Sequence, residues 1–134
     1  MPSGRPHVAP TVDKILQSVA DVELDDDQRD DLAVAVAEAL SNAAMHGNKM
    51  KPGADVLVTV ETVPKRKAIV KIEDSGPGFD RGTLDDPTDP LHLLDTRGRG
   101  VFLMRRLVDR LEYNAKGNQV RLTMERRTRR RKRR

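Results

Sequence analysis

The sequence predicts an α+β fold: a two-layer α/β sandwich with helices on one face of a mixed, mostly antiparallel sheet. The order of patterns favours this class, because two helical segments precede a pair of strands and a third helix precedes a second pair. The length of 134 residues fits one domain with a single core. Aromatic residues make up only 2% of the chain, so Leu, Val, Ile, Ala and Met must fill that core.

The first two helices are indicated by the spacing of their apolar residues. The stretch TVDKILQSVADV, which starts at Thr11, has the period of a short amphipathic helix. A second helix begins at LDDDQRDD, where Asp25 or Asp26 can cap the N-terminus and the following acids complement the helix dipole. It runs to Met45 with apolar residues on nearly all sides, so we expect it to be largely buried, and Gly47 ends it.

Two predicted hairpins flank an irregular segment and a third helix. DVLVTVETV alternates as a strand, PKRK forms a turn, and AIVKIED is the partner strand. Residues 83–97 are rich in Asp and Pro and predict a loop with one helical turn at LHLL. LEYNA, KGNQ and VRLTMER predict the last hairpin, whereas residues 1–10, with three prolines, show no strand alternation. The helix GVFLMRRLVDRL should present an apolar side made of Val101, Leu103, Met104, Leu107 and Val108.

Charge separates a body from a tail. Residues 126–134, RRTRRRKRR, hold eight of the 25 basic residues, which leaves 17 basic against 21 acidic residues elsewhere. Because a run of like charges repels itself, we expect a flexible Pro-rich N-terminus at 1–10, a folded domain at 11–125 and a disordered basic tail at 126–134. The tail could attract nucleic acid, an acidic protein face or an anionic membrane, or it could be a solvated terminus.

Composition excludes several kinds of site. The chain has no cysteine, so disulfides, thiolate catalysis and cysteine-ligated zinc are absent. Its N-terminus has no apolar run, and no eighteen apolar residues stand together, so we expect a cytoplasmic protein without membrane contact. Few aromatic side chains are present on which bases could stack, and nucleic acid is therefore not an expected partner, apart from weak binding through the tail.

A polar stripe crosses the most apolar helix. Within EALSNAAMHGN, Glu38, Asn42 and His46 are four residues apart, so a helix places them along one side. The stripe could be the polar edge of a buried helix, but a buried carboxylate and amide need partners. A magnesium ion would supply one, because Mg²⁺ prefers oxygen ligands.

Two glycine-rich segments could approach a ligand. In EDSGPGFD, Asp74 ends a strand, and Gly76 and Gly78 allow close approach of the main chain; the alternative is a Gly-Pro turn opened by an Asp. In RGRGVFLM, the glycines lead into a helix whose free N–H groups form an anion site, with further charge from its arginines; the alternative is a flexible joint. The residues of this second segment are Arg97, Gly98, Arg99 and Gly100. The P-loop pattern is absent, so a phosphate site here is of another kind.

In this order, the three segments resemble the nucleotide-binding motifs of the GHKL ATPase superfamily, which includes gyrase, histidine kinases and Hsp90-type chaperones. EALSNAAMHGN resembles its N-box, DSGPGFD its first glycine box and RGRGVFLM its second. Within the superfamily, the chain is most similar to bacterial anti-sigma factor serine/threonine kinases. The resemblance covers about residues 30–125 and implies a two-layer sandwich of the GHKL type.

The resemblance also implies a set of ligands and roles. ATP and Mg²⁺ would be the cofactors. Asn42 would coordinate the metal, Glu38 would orient or deprotonate the attacking hydroxyl, and His46 would lie in the same nucleotide site. Asp74 would accept a hydrogen bond from the adenine amino group. The other implied nucleotide-binding residues are Gly76 and Gly78 beside the base, and Arg97, Gly98, Arg99, Gly100 and Val101 over the phosphates.

Three functions stay open on this resemblance. The first is an anti-sigma factor that also phosphorylates a serine or threonine of a STAS-type antagonist in a bacterial partner-switching pathway, with a sigma factor as its other partner. The second is a regulator that holds ATP without catalysis while sequestering a partner. The third is a detached catalytic domain of a histidine kinase. A homodimer is among the alternatives, because relatives tend to dimerise. The final hairpin departs from the family, which often has Gly-Thr where this chain has Gly117 and Asn118.

Overall fold

The computed structural model describes residues 1–48, 54–76 and 96–127. Within these ranges, three helices and four strands follow one another in the predicted order. The predicted loop at 83–97 falls outside the described residues up to position 95. The helices are α1 (Val8–Ser18), α2 (Asp26–Asn42) and α3 (Thr96–Leu107), and the strands are β1 (Leu57–Val63), β2 (Lys67–Glu73), β3 (Arg110–Tyr113) and β4 (Gln119–Glu125).

The four strands form one sheet in the order β1-β2-β4-β3. The two predicted hairpins are confirmed, and they join because β2 pairs with β4, where Val70 lies opposite Leu122. The sequence predicts a mixed, mostly antiparallel sheet, and the pairings in the described part of the chain are all antiparallel. The reason is that α3 returns the chain to the far edge of the sheet, so that β4 runs back between β3 and β2.

One face of the sheet is covered by the helices, as the two-layer prediction requires. Alternate residues of β2 and β4 point toward the helices because side chains along a strand alternate between its faces. The buried strand residues that belong to the core beneath the helices are Ala68, Val70, Ile72, Val120, Leu122 and Met124. They meet the buried side of α2, which consists of Leu32, Ala35, Val36, Ala39 and Leu40.

Two helices bury less of their surface than their sequences suggest. Val34 of α2 is 46% exposed, so this helix buries one broad face instead of nearly all sides. In α3, Val101 and Met104 are buried, but Leu103, which we assigned to the apolar side, is 38% exposed. Successive residues of a helix are about 100° apart, so Leu103 cannot share the inward direction of Met104.

The start of α2 is fixed by a capping box. The Asp25 carboxylate accepts a hydrogen bond from the Gln28 backbone at 2.7 Å, and the Gln28 side chain accepts one from the Asp25 backbone. Gln28 is 1% exposed, and its Nε2 donates to the Glu125 carbonyl at 2.7 Å. Of the two predicted caps, Asp25 is the one used, and the cap ties α2 to the end of β4.

Both ends of the described chain are attached to the domain. Helix α1 begins at Val8, three residues before the predicted start at Thr11. The Met1 amine donates to the Val56 carbonyl at 2.8 Å, and Pro2 forms an isolated bridge with Asp55, so the N-terminus adds a bridge and no strand. At the other end, Arg127 pairs with Asp25 at 3.3 Å. The rest of the predicted tail, residues 128–134, lies outside the described residues.

Candidate functional site

The end of α2 is wider than an α-helix. Residues Ala43–Gly47 form a π-helical turn, in which the Asn48 backbone donates to the Ala43 carbonyl at 2.8 Å. Such turns are rare and occur often at functional sites. Gly47 is placed directly against Asp74, because a Cβ added at Gly47 would lie 2.0 Å from the Asp74 Cγ. The helix therefore ends where only glycine leaves room for this carboxyl group.

Asp74 is buried and held from several sides. It is 6% exposed, and its Oδ1 accepts a hydrogen bond from the Gly76 backbone at 2.8 Å. Gly76 in turn lies against the π-helical turn, since a Cβ there would be 2.2 Å from the Gly47 carbonyl oxygen. The predicted neighbours Asp74 and Gly76 are thus brought together, whereas Gly78 lies outside the described residues.

Asn48 connects the π-helical turn to the segment after Asp74. Its Oδ1 accepts hydrogen bonds from the backbone and the hydroxyl of Ser75, at 2.8 Å and 2.9 Å. Its Nδ2 donates to the Ser3 hydroxyl and to the Asp55 carbonyl. Because Asn48 is only 3% exposed, this fully paired amide fixes the position of the Asp74 segment relative to α2.

A narrow cleft runs between α2 and the sheet. Asn42 and Asp74 both line it, together with Ala39, Ala43, Ile72, Tyr113, Gly117, Asn118 and Val120. The cleft leaves about 20 Å³ open to the centre of a water molecule, which is room for one water. A planar ring could enter only if the walls moved apart. The apolar members of the lining would then cover its faces, and the polar members would meet its edges.

Glu38 and Asn42 meet the beginning of α3. A Cβ added at Gly100 would lie 2.7 Å from the Glu38 Oε2 and 3.2 Å from the Asn42 Nδ2. Three predicted site residues from two distant segments are therefore adjacent. Glycine at position 100 allows this approach, because any larger side chain would displace the two polar groups.

Asn42 carries a buried polar atom that needs a partner. Its Nδ2 is buried and makes no hydrogen bond among the described residues. Such a group costs about 1–3 kcal/mol when it stays unpaired. Turning the amide over exchanges Nδ2 with Oδ1, so the position can offer a donor to a phosphate or an oxygen to a metal ion. The group therefore fits a bound magnesium nucleotide.

The described residues contain no preformed cage for a metal ion. Groups of three or more His, Asp or Glu side chains in metal-binding proximity are absent from residues 1–48, 54–76 and 96–127, as far as their side chains are described. Mg²⁺ often binds through one or two protein oxygens and takes its other ligands from phosphate and water. The single amide of Asn42 is compatible with that kind of binding.

Helix α3 begins earlier than the sequence suggests. It starts at Thr96, so Gly98 and Gly100 lie inside its first turns and do not precede it. The N–H groups without a partner in the helix are those of its first four residues, 96–99, and those of Gly100 and Val101 are not among them. The Val101 side chain is 2% exposed and belongs to the core. The side chains of His46, Arg97 and Arg99 lie outside the described part of the structure.

Sequence reasoning missed several residues in and around the cleft. Gly47 was interpreted as a helix stop, but its second role is to make room for Asp74. Asn48 and Tyr113 gave no local signal, because their contacts join segments that are far apart in sequence. Asn118 gave a signal as a departure from the Gly-Thr pattern. Its place in the cleft lining is visible only in three dimensions.

We expect Gly47→Ala to displace Asp74. The added methyl would overlap the carboxyl group, so the free energy of unfolding should fall by about 1–3 kcal/mol, the usual cost of overpacking. Denaturant titration measures this. Gly4→Ala is the matched control, because its nearest contact would be the His7 ring at 3.3 Å. Equal stability of the two variants would contradict the close packing of Gly47 and Asp74.

A known protein family and several curated proteins match most of this chain. The family model of the histidine kinase-like ATPase domain matches residues 2–124. An anti-sigma F factor of Clostridium kluyveri (strain NBRC 12016) is 30% identical over 105 residues, which cover 74% of this chain and 70% of that protein. The serine-protein kinase RsbW of Bacillus pumilus (strain SAFR-032) is 33% identical over 93 residues, or 64% of this chain and 57% of that protein.

A solved structure shares the fold. The mycobacterial sensor histidine kinase MprB superposes with a TM-score of 0.53 over 72% of this chain and 71% of that chain, at 22% sequence identity. At this identity, the likeness concerns the arrangement of helices and sheet.

None of the described helices combines the length and apolar character needed to cross a bilayer.

Proposed function

We propose that this chain, which belongs to the family of histidine kinase-like ATPase domains, is an ATP-binding anti-sigma factor with serine/threonine kinase activity. Its substrate would be a STAS-type antagonist, and its other partner a sigma factor. The names of its relatives support the proposal, since they include anti-sigma F factors and serine-protein kinases. The site of action would be the bacterial cytoplasm, where sigma factors work.

The observation that carries the proposal is the convergence of three polar groups and a helix start. Glu38 and Asn42 lie against Gly100 of α3, and Asn42 shares its cleft with the buried Asp74. Phosphoryl transfer depends on positioning and on stabilisation of charge more than on covalent chemistry. A carboxylate, an amide whose Nδ2 has no partner among the described residues, and the positive end of a helix are groups that such positioning can use.

Each group has a role at a different part of the nucleotide. The Asp74 carboxylate would accept a hydrogen bond from the amino group of adenine. Gly76 and Gly47 leave the space for this carboxylate. Asn42 would hold Mg²⁺, which neutralises charge on the phosphates when it is bound. The N–H groups of residues 96–99 would face the phosphates. His46, Gly78 and the two arginines of RGRG are further candidates for contacts with the nucleotide.

Glu38 would act on the attacking hydroxyl. It lies one helical turn before Asn42, with its Oε2 facing the start of α3. Its carboxylate would take the proton from a serine or threonine hydroxyl of the partner as that oxygen bonds to the γ-phosphorus. The bond between the γ-phosphorus and the bridging oxygen then breaks, and ADP leaves with the electron pair. General base catalysis of this kind contributes about 10²–10⁴-fold in rate.

Entry of the nucleotide would require rearrangement at the start of α3. In this structure Gly100 lies against Glu38 and Asn42, and the cleft admits about one water. The phosphates and the hydroxyl of the partner would take the space between these residues.

The test is phosphate transfer between the chain and its own partners. Proteins that co-purify with the chain from its native host would be identified and incubated with it, Mg²⁺ and γ-labelled ATP. The proposal expects labelled phosphoserine or phosphothreonine on one partner, and sigma factor among the others. ATP binding without transfer to any partner would favour the regulator that holds ATP. Transfer to histidine would favour the histidine kinase domain. Sizing the purified chain tests the homodimer.

A further inference from the structure

Asn118 makes two hydrogen bonds to the main chain of Asp74. The Asp74 N–H donates to the Asn118 carbonyl at 2.9 Å, and the Asn118 Nδ2 donates to the Asp74 carbonyl at 3.0 Å. The last regular pair of β2 and β4 is Glu73 opposite Gln119. The first bond extends this pairing by one residue on each strand. The second is made by a side chain at a position where an antiparallel ladder would use a backbone N–H.

The β3–β4 turn explains why the Asn118 side chain, and not its backbone N–H, bonds to the Asp74 carbonyl. The Asn118 N–H donates to the Asn114 Oδ1 at 3.1 Å, so it is not available to Asp74. The Gly117 and Gln119 N–H groups donate to the same oxygen. Asn114 also donates from Nδ2 to the Asn118 Oδ1 at 2.8 Å, which sets the orientation of the second amide. The turn thus directs the Asn118 Nδ2 at the Asp74 carbonyl.

We propose that Asn118 is a positioning residue for base recognition: it holds the Asp74 main chain so that the carboxylate meets the amino group of adenine. This inference rests on the proposed function, because it assumes that adenine enters the cleft lined by Asp74 and Asn118. Asp74 is the first residue beyond β2, so the regular ladder no longer fixes its carbonyl. The carboxyl carbon of Asp74 is two bonds from the Cα to which this carbonyl is attached, so a shift of the peptide moves both groups.

Nucleotide affinities can distinguish a positioning role of Asn118 from a general stabilising role. If Asn118 merely stabilised the hairpin, its loss would weaken the binding of every nucleotide by the same factor. If it positions the Asp74 carboxylate, its loss should mainly affect nucleotides that carry the 6-amino group. The ratio of two affinities therefore distinguishes the two roles. The probes are ATP and purine riboside triphosphate, which lacks that amino group and is otherwise the same.

Two variants and one control make the comparison. Asn118→Ala removes the side-chain amide. Asn118→Asp keeps its size but presents oxygen where the donor was, so the Asp74 carbonyl loses its bond in either case. Gln119→Ala is the control, because the Gln119 Nε2 donates to the Glu73 Oε1 at 2.8 Å and so joins the same two strands without contacting Asp74. Circular dichroism and thermal unfolding confirm that each variant is folded.

Wild type should bind ATP more tightly than purine riboside triphosphate by roughly 5- to 150-fold, which corresponds to one unpaired buried polar group. Both Asn118 variants should lower this ratio by about fivefold or more, and Gln119→Ala should keep it. If the folded variants keep the wild-type ratio while both affinities fall together, the positioning role is wrong and nucleotide binding stands. If wild type binds neither nucleotide, the proposed function and this inference both fail.

Discussion

Glu38→Gln is expected to lower phosphate transfer to the partner by about 10²–10⁴-fold while ATP affinity stays close to that of wild type. The variant keeps the shape of the side chain beside Gly100 and removes the group that accepts the proton. Transfer is measured as labelled phosphate on the partner per unit time, and affinity by calorimetry. Binding of the partner should survive, because it depends on the folded surface and on the nucleotide.

The matched control is Asp30→Asn, which makes the same chemical change at an exposed position of the same helix. It should leave transfer unchanged. If wild type transfers phosphate and Glu38→Gln does so equally fast, Glu38 is not the base. If wild type transfers no phosphate to any partner and the variant binds partners equally well, the regulator that holds ATP becomes the better account.

Asp74 is expected to make the site prefer ATP over GTP by about 1–3 kcal/mol, or roughly 5- to 150-fold. The carboxylate accepts from the amino group of adenine, whereas guanine presents a carbonyl at the same place, and two acceptors then face each other in a buried site. Asp74→Asn replaces one acceptor oxygen with a donor, so ATP affinity should fall and the preference for ATP should shrink. Competition of each nucleotide against labelled ATP measures both.

Glu73→Gln is the control for this variant. It neutralises the neighbouring carboxylate, which accepts a hydrogen bond from Gln119 and does not line the cleft. ATP affinity and preference should match those of wild type. GTP that competes with wild type as well as ATP does would remove Asp74 from the base site.

The fold was predictable because its signals are local. The alternation in β1 is visible in the sequence, and so is the capping Asp that starts α2. The predictions that failed depend on contacts between distant segments. Helix α3 starts at Thr96, whereas the two glycines of RGRG suggested a start at position 100. Glycine lowers helix propensity, so the residues of RGRG do not indicate the helix that the structure forms there.

The candidate site was predictable in part for the same reason. The spacing of Glu38 and Asn42 on one helix predicts that they share a side, and the structure places both at Gly100. The partners of Asp74 could not be predicted from spacing, because Gly47 and Asn118 come from segments on either side of it in the chain. The π-helical turn that brings Gly47 to Asp74 is a rare feature, and the helical spacing of apolar residues does not predict it.

The central claim is that the cleft between α2 and the sheet binds a magnesium nucleotide through Asn42. Calorimetric titration of ATP into wild type and Asn42→Ala, each with Mg²⁺ and each with a chelator, tests it most directly. We expect one binding site in wild type that weakens strongly in the chelator, and an Asn42→Ala variant that has weak affinity in both conditions. Equal ATP affinity of wild type and Asn42→Ala in Mg²⁺ would contradict the claim, and so would a wild type that binds no ATP.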